Sequence, residues 1–202
     1  MNARTFLVPL LAAVMIAACD RTAPTDAGDA ATLAARPELA SQIQSTSSVT
    51  PFPSGPVIDG ASASISRSAN GVNAWLQTSG LTPGHAYTLW VIVFNHPEYC
   101  AVPDACTVAD VPVDDPDVGI DLINGAGLVV GNSGQATFSG RINVGDLGIR
   151  GVGLLDPYAP EIHLAVRDHG PKLPGNAQLS EFGGGCGEYA CANVQAAAGF
   201  GN

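Results

Sequence analysis

Four histidines, a run of aspartates and five cysteines are the residues of this chain best equipped for chemistry. The imidazoles stand at His85, His96, His163 and His169, and no two of them have the H-x-H spacing that sets a ligand pair on one strand face. His96 and His169 each fall just past a stretch with strand character. If those stretches are sheet neighbours, the two rings approach each other beside Asp168. With His163 they are then candidate ligands for Zn or Cu. The acidic run offers harder ligands. Asp115-Pro116-Asp117-Val118-Gly119-Ile120-Asp121 sets carboxylates at alternating positions around a glycine. Oxygen-rich loops of this kind suit Ca²⁺, which makes Asp115, Asp117 and Asp121 candidates. The run lacks the EF-hand spacing and its bidentate Glu, and Pro116 restricts it, so a solvated loop is the simpler reading. The balance of these readings is that no cofactor is expected, with Ca, Zn or Cu as the alternative.

Catalytic arrangements are sparse. Gly131-Asn132-Ser133-Gly134 is not a G-x-S-x-G nucleophile elbow and sits where a hairpin turn belongs. No P-loop, dinucleotide fingerprint or H-E-x-x-H motif occurs. A non-enzymatic role is favoured, and a hydrolase with an unidentified site is the alternative.

The amino-terminal residues set the compartment. Arg4 precedes an apolar or small run from Phe6 to Ala18, too short to span a bilayer comfortably and suited to a secretory signal. It ends in Ile16-Ala17-Ala18-Cys19, which resembles the lipobox of bacterial lipoproteins. The resemblance implies cleavage before Cys19, lipidation of that residue, and a protein tethered to the cell envelope on its periplasmic or extracellular face. An exported compartment and an even number of remaining cysteines favour disulfides among Cys100, Cys106, Cys186 and Cys191. Three connectivities exist; 100–106 with 186–191 is preferred because neighbouring thiols meet first. The formal net charge is −10, and cleavage would remove only Arg4. So acidic a surface argues against nucleic acid as a partner.

These residues need a frame to hold them. The chain has 202 residues, 46% apolar, with 24 Gly and 15 Pro, a balance that favours many short strands over long helices. Residues 1–18 read as the lipoprotein signal peptide, 19–56 as the lipidated Cys and a flexible Ala/Thr/Ser/Asp/Pro tether, and 57–202 as one β domain. Within the domain, strands are expected over 61–69, 72–79, 86–94, 127–131, 135–142, 161–168 and 191–200. Asn70-Gly71 is expected to form a type I′ turn between the first two. Seven or eight such strands predict a Greek-key β-sandwich or flattened barrel, immunoglobulin-like or superoxide-dismutase-like.

Gly80-Leu81-Thr82-Pro83-Gly84-His85-Ala86-Tyr87 resembles the turn-and-strand segment of Cu/Zn superoxide dismutases and CHRD domains. In the dismutases the strand that follows carries two copper-binding His. The matching positions here are Thr88 and Trp90, so the resemblance speaks for the fold and against dismutation. Glu161-Ile162-His163-Leu164 and the closing GGGC…CANVQ also resemble a group of uncharacterised secreted bacterial proteins.

One strand is apolar on both sides. Along 86–94, Tyr87, Leu89, Val91 and Val93 form one face, and Trp90, Ile92 and Phe94 the other. Exposing the second set would forgo about 5–8 kcal/mol of burial. A loop, a second sheet or a partner must cover it. Trp75 stands opposite the aliphatic face of its own strand, beside Asn73 and Gln77. If both strands share a sheet, Trp75 and Trp90 form an aromatic platform for a glycan or an envelope protein. The sequence therefore predicts a membrane-anchored envelope lipoprotein with a binding or structural module, and a metal-binding domain as the alternative.

Overall fold

The computed structural model describes residues 42–201, with side chains from Ser47 onward. Nine strands run β1 Gln42–Ser47, β2 Thr50–Pro51, β3 Ser62–Ser68, β4 Gly71–Thr78, β5 His85–Phe94, β6 Ile120–Val129, β7 Ala136–Asn143, β8 Glu161–Pro171 and β9 Ala192–Phe200. They form two antiparallel sheets, ordered β1-β3-β4-β7 and β2-β9-β8-β5-β6. The chain crosses between sheets after β1, β2, β4, β6 and β7, so β7 returns beside β4 and β8 beside β5. This interlocked order is that of a Greek-key sandwich.

Alternation along each strand explains the packing. β3 buries Ala63, Ile65 and Arg67 and leaves its serines half-exposed, while β4 buries Val72, Ala74 and Leu76. These meet Tyr87, Leu89, Val91 and Val93 of β5 and Ile162, Leu164 and Val166 of β8 in the core between the sheets. Arg67 lies at 0% exposure, and its guanidinium donates to the carbonyls of Pro157, Pro160 and Phe200 at 2.7–2.9 Å. Burial lowers its pKa to about 10, against the pull of Asp156, so it keeps its charge at neutral pH.

The structure moves three boundaries. The domain begins before Val57, because β1 pairs with β3 and β2 with β9 inside the stretch expected to be tether. Short polar edge strands carry little hydrophobic signal, so composition alone hid them. β6 begins at Ile120, which places the last aspartate of the acidic run inside a strand. The β3–β4 pairing joins Ser68 to Gly71, so Ala69 and Asn70 make the turn and the expected Asn70-Gly71 turn is displaced by one residue. Gly71 is needed elsewhere: a Cβ there would lie 2.1 Å from the carbonyl oxygen of Ile142 on β7.

Loop 144–160 is held by polar groups beneath it. Asp121, fully buried, accepts backbone N–H bonds from Leu122, Gly148, Arg150 and Gly153. Asn95 donates to the carbonyls of Gly119 and Gly153 and accepts from the N–H of Leu155. Leu154 is buried beneath the loop, whereas Leu155 is 53% exposed.

Where β6 and β7 close the sandwich, the backbones of Gly125 and Gly140 touch. A Cβ on Gly140 would fall 2.1 Å from the Gly125 carbonyl oxygen. Gly140→Ala is expected to cost about 1–3 kcal/mol in urea unfolding, as other forced expansions of packed contacts do. Wild-type stability in this variant would show that the corner can part.

Candidate functional site

The outer face of the five-stranded sheet carries a second apolar cluster. Trp90, Ile92 and Phe94 of β5 pack with Ile120 and Leu122 of β6, Ala165 of β8, and Cys100, Cys106 and Val118 from the β5–β6 loop. Phe182, from the β8–β9 loop, meets Trp90 edge-on at 5.0 Å. The chain's own loops therefore supply the cover that β5 requires.

This cover has consequences for the expected aromatic platform. Trp90 is 2% exposed on β5, and Trp75 lies in the other sheet, on β4 between Ser64 of β3 and Ser139 of β7. Trp75 does face outward beside exposed Asn73 and Gln77. The two indoles belong to different sheets and form no platform. Trp90 instead donates from Nε1 to Thr88 Oγ1 at 2.7 Å, so the two positions that the dismutase resemblance aligns with copper ligands bond to each other.

The expected metal sets are also separated. β5 and β8 are neighbours, but antiparallel pairing joins Phe94 to Glu161 and Tyr87 to Asp168. His96 and His169 thus sit beyond opposite ends of the pair, whose shared stretch from Tyr87 to Phe94 alone is about 23 Å long at strand rise. Adjacency was the right condition, but its direction reverses the outcome. His96 is half-exposed beside Glu98 at 3.6 Å. Among the calcium candidates, Asp117 is exposed and Asp115 receives the N–H of Asp117 in a local turn. Asp121 spends its oxygens on four backbone donors. The three carboxylates do not converge.

Both loops over the outer face carry a disulfide, Cys100–Cys106 and Cys186–Cys191. The local connectivity preferred from the sequence is the one found. Asp110 braces the first loop, accepting from the N–H groups of Ala101 and Thr107 and from the Thr107 hydroxyl. The Ala101 and Thr107 hydrogen bonds hold its carboxyl below the ordinary range, against the opposing effect of burial. Cys19 lies outside the described residues.

An apolar cavity of about 200 Å³ lies between the loops and the sheet. Its floor includes Ile92, Leu122, Ala165 and Ala196, and its walls include Val111 and Phe182. Beside it lies a more open, mixed cleft of about 550 Å³ that includes Asp104, Thr107 and Glu161. His163 and Ala198 line both.

His163 points away from the core, as alternation required, yet the loops leave it only 5% exposed. Its Nε2 lies 2.6 Å from Glu161 Oε1, and its ring meets Phe94 edge-on. Glu161 Oε2 accepts the backbone N–H of Cys106 at 3.0 Å, tying this pair to the first disulfide loop. The sequence singled out His163 but not Glu161. Residues two apart on one strand share a face, which was the available signal.

No family model and no curated protein matches this chain.

Two more polar groups occupy the far end of β8. Asp168 sits 3.1 Å from His85 Nδ1 and accepts from Tyr189 Oη and the N–H of Gly170. His169, at 0% exposure, has Nε2 2.8 Å from Thr88 Oγ1 and Nδ1 3.1 Å from the Gly184 carbonyl oxygen. Since that carbonyl can only accept, Nδ1 carries the proton and Thr88 donates to Nε2. Burial lowers the pKa of His169 below its usual 6.5, opposed by the Gly184 bond. A base whose folded pKa is depressed stabilises the fold above the unfolded pKa, and this contribution is lost as pH falls through the folded value. His169→Gln should therefore flatten the acid limb of stability below about pH 6.5. An unchanged limb would assign the acid sensitivity to other groups.

Proposed function

We propose that this chain is a lipid-anchored protein of the bacterial cell envelope whose β-sandwich is a non-enzymatic binding module for a small amphipathic molecule. The observation that carries the binding reading is the pairing of an apolar cavity with a polar cleft along the shared edge at His163. Pockets that orient a ligand combine apolar walls with a few placed polar groups. A cavity of about 200 Å³ suits the aromatic or short aliphatic end of a molecule, not a whole glycan or peptide. The adjoining cleft, with Asp104 and Glu161 in an acidic chain, suits a polar end that donates hydrogen bonds or carries positive charge. Arylalkyl amines and alcohols match both halves.

The envelope part of the reading rests on Ile16-Ala17-Ala18-Cys19 and on two disulfides, the bond type that exported proteins retain. Cys19→Ser should abolish fatty-acid labelling of the expressed chain. Continued labelling would remove the lipid anchor from the proposal.

The binding part is tested by calorimetric titration of the full chain with arylalkyl amines, alcohols and carboxylates of matched size. Amines and alcohols should bind with a negative heat-capacity change, and the carboxylates more weakly. Ala165→Leu fills the cavity floor and should weaken binding at least tenfold. Absence of binding across all three series, or affinity unmoved by Ala165→Leu, would overturn this assignment.

A further inference from the structure

The group formed by His169 and the second disulfide is remote from His163 and makes no use of the cavity. His169 Nδ1 lies 3.4 Å from Cys191 Sγ and 3.8 Å from Cys186 Sγ. All three atoms fall within 4.8 Å of one another, and this is the only such set of His, Cys, Asp or Glu among the described residues. We propose that, when Cys186–Cys191 is reduced, His169 Nδ1 and the two thiolates form a binding site for a thiophilic divalent cation of the zinc class.

The argument is geometric first. A tetrahedral centre with bonds of about 2.3 Å to sulfur and about 2.0 Å to nitrogen holds those atoms about 3.5 Å apart. The two nitrogen–sulfur separations lie on either side of that value. Only the sulfurs have to move apart, to about 3.8 Å in the same geometry. The backbone around them favours this, since Cys186 follows Gly183-Gly184-Gly185 and precedes Gly187. Gly185 and Gly187 adopt positive φ values of 68° and 56°, so this loop already uses the freedom that glycine brings.

The surroundings of the imidazole fit a ligand role. In the metal-bound form the ring proton resides on Nε2 and is donated to Thr88 Oγ1, which also accepts from Trp90 Nε1. Partners of this kind fix the ring orientation and tautomer of metal-binding His. The cost is the hydrogen bond that Nδ1 now gives to the Gly184 carbonyl, together with the one the Thr88 hydroxyl now gives to Nε2; the hydroxyl proton must turn to another acceptor.

The two cysteine pairs differ in access. Cys186 and Cys191 are both half-buried, whereas Cys100 and Cys106 are each 5% exposed and lie in the second apolar cluster. A dithiol reductant therefore reaches the second pair first. It transfers two electrons and two protons to the disulfide, giving two Cys thiols and its own disulfide. The cation then replaces the two thiol protons, which pass to solvent, and His169 only changes tautomer.

The test uses the full chain with Cys19→Ser, so that the remaining cysteines are those of the two pairs. Oxidised and anaerobically reduced protein are titrated with Co²⁺, read by thiolate-to-cobalt charge-transfer absorption. Zn²⁺ then competes against a chromophoric chelator. Reduced protein should bind one cation per chain, and oxidised protein none. Cys191→Ser, a near-isosteric change at a half-buried position, should lower affinity at least tenfold and weaken the absorption. Thr88→Val should lower it about 10–100-fold while leaving both sulfur ligands in place. A reduced protein without the absorption, or one that keeps it in Cys191→Ser and loses it in Cys106→Ser, would overturn the proposal.

Discussion

A strand buried on both faces is the constraint on which the rest of this molecule depends. Nine of the ten residues of β5 are buried, and no antiparallel sandwich can satisfy such a strand with the opposing sheet alone. One face belongs to the core between the sheets. The other must be covered by polypeptide from outside the sandwich, and two long loops provide it. Short disulfides close turns within those loops and limit how far they can unravel in the unfolded chain. The cavity between loops and sheet follows from the same arrangement. Loops cover a sheet less completely than another sheet does, and small side chains at Ala165, Ala196 and Ala198 leave room beneath them.

Long irregular segments bring many backbone donors and acceptors, and these need partners wherever water is excluded. Here a few buried side chains meet that need. Arg67 accounts for three carbonyls at one end of the core, and Asp121 for four amides beneath loop 144–160. Asn95 joins the same loop to the β5–β6 connection. Each acts as a local substitute for a strand partner, which is how a sandwich with so much non-strand chain stays ordered.

Much of the frame was legible in the sequence because it rests on alternation. β3, β4, β5, β7, β8 and β9 lie within a residue or a few of the expected ranges, and the two-sided apolarity of β5 announced a strand that must be covered on both faces, although β8 and not β5 is the middle strand of its sheet. Edge pairing was not legible, since β1 and β2 are polar or short and gain order from the strands they join. The candidate site was half legible. His163 stood out by type and its direction followed from period two, but its burial depends on loops whose course no local pattern specifies. The acidic run misled for a related reason: spacing along the chain says nothing of Asp121 turning inward to the amides. The proximity of His169 to Cys186 and Cys191 comes from the fold of a glycine-rich loop and had no sequence signature.

The entry of the chain into the domain has a mechanical consequence. β1 adds to one sheet and β2, only two residues later, adds to the other, with Val49 between them fully buried. Ser47 Oγ bonds the Ala198 carbonyl, and the Phe52 amide bonds that of Val194, so both ends of this segment are fastened to β9. Traction on the amino-terminal side cannot peel away one layer by itself. The load passes from β1 through Val49 to β2, is divided between both sheets, and reaches the core as shear instead of opening it from an edge.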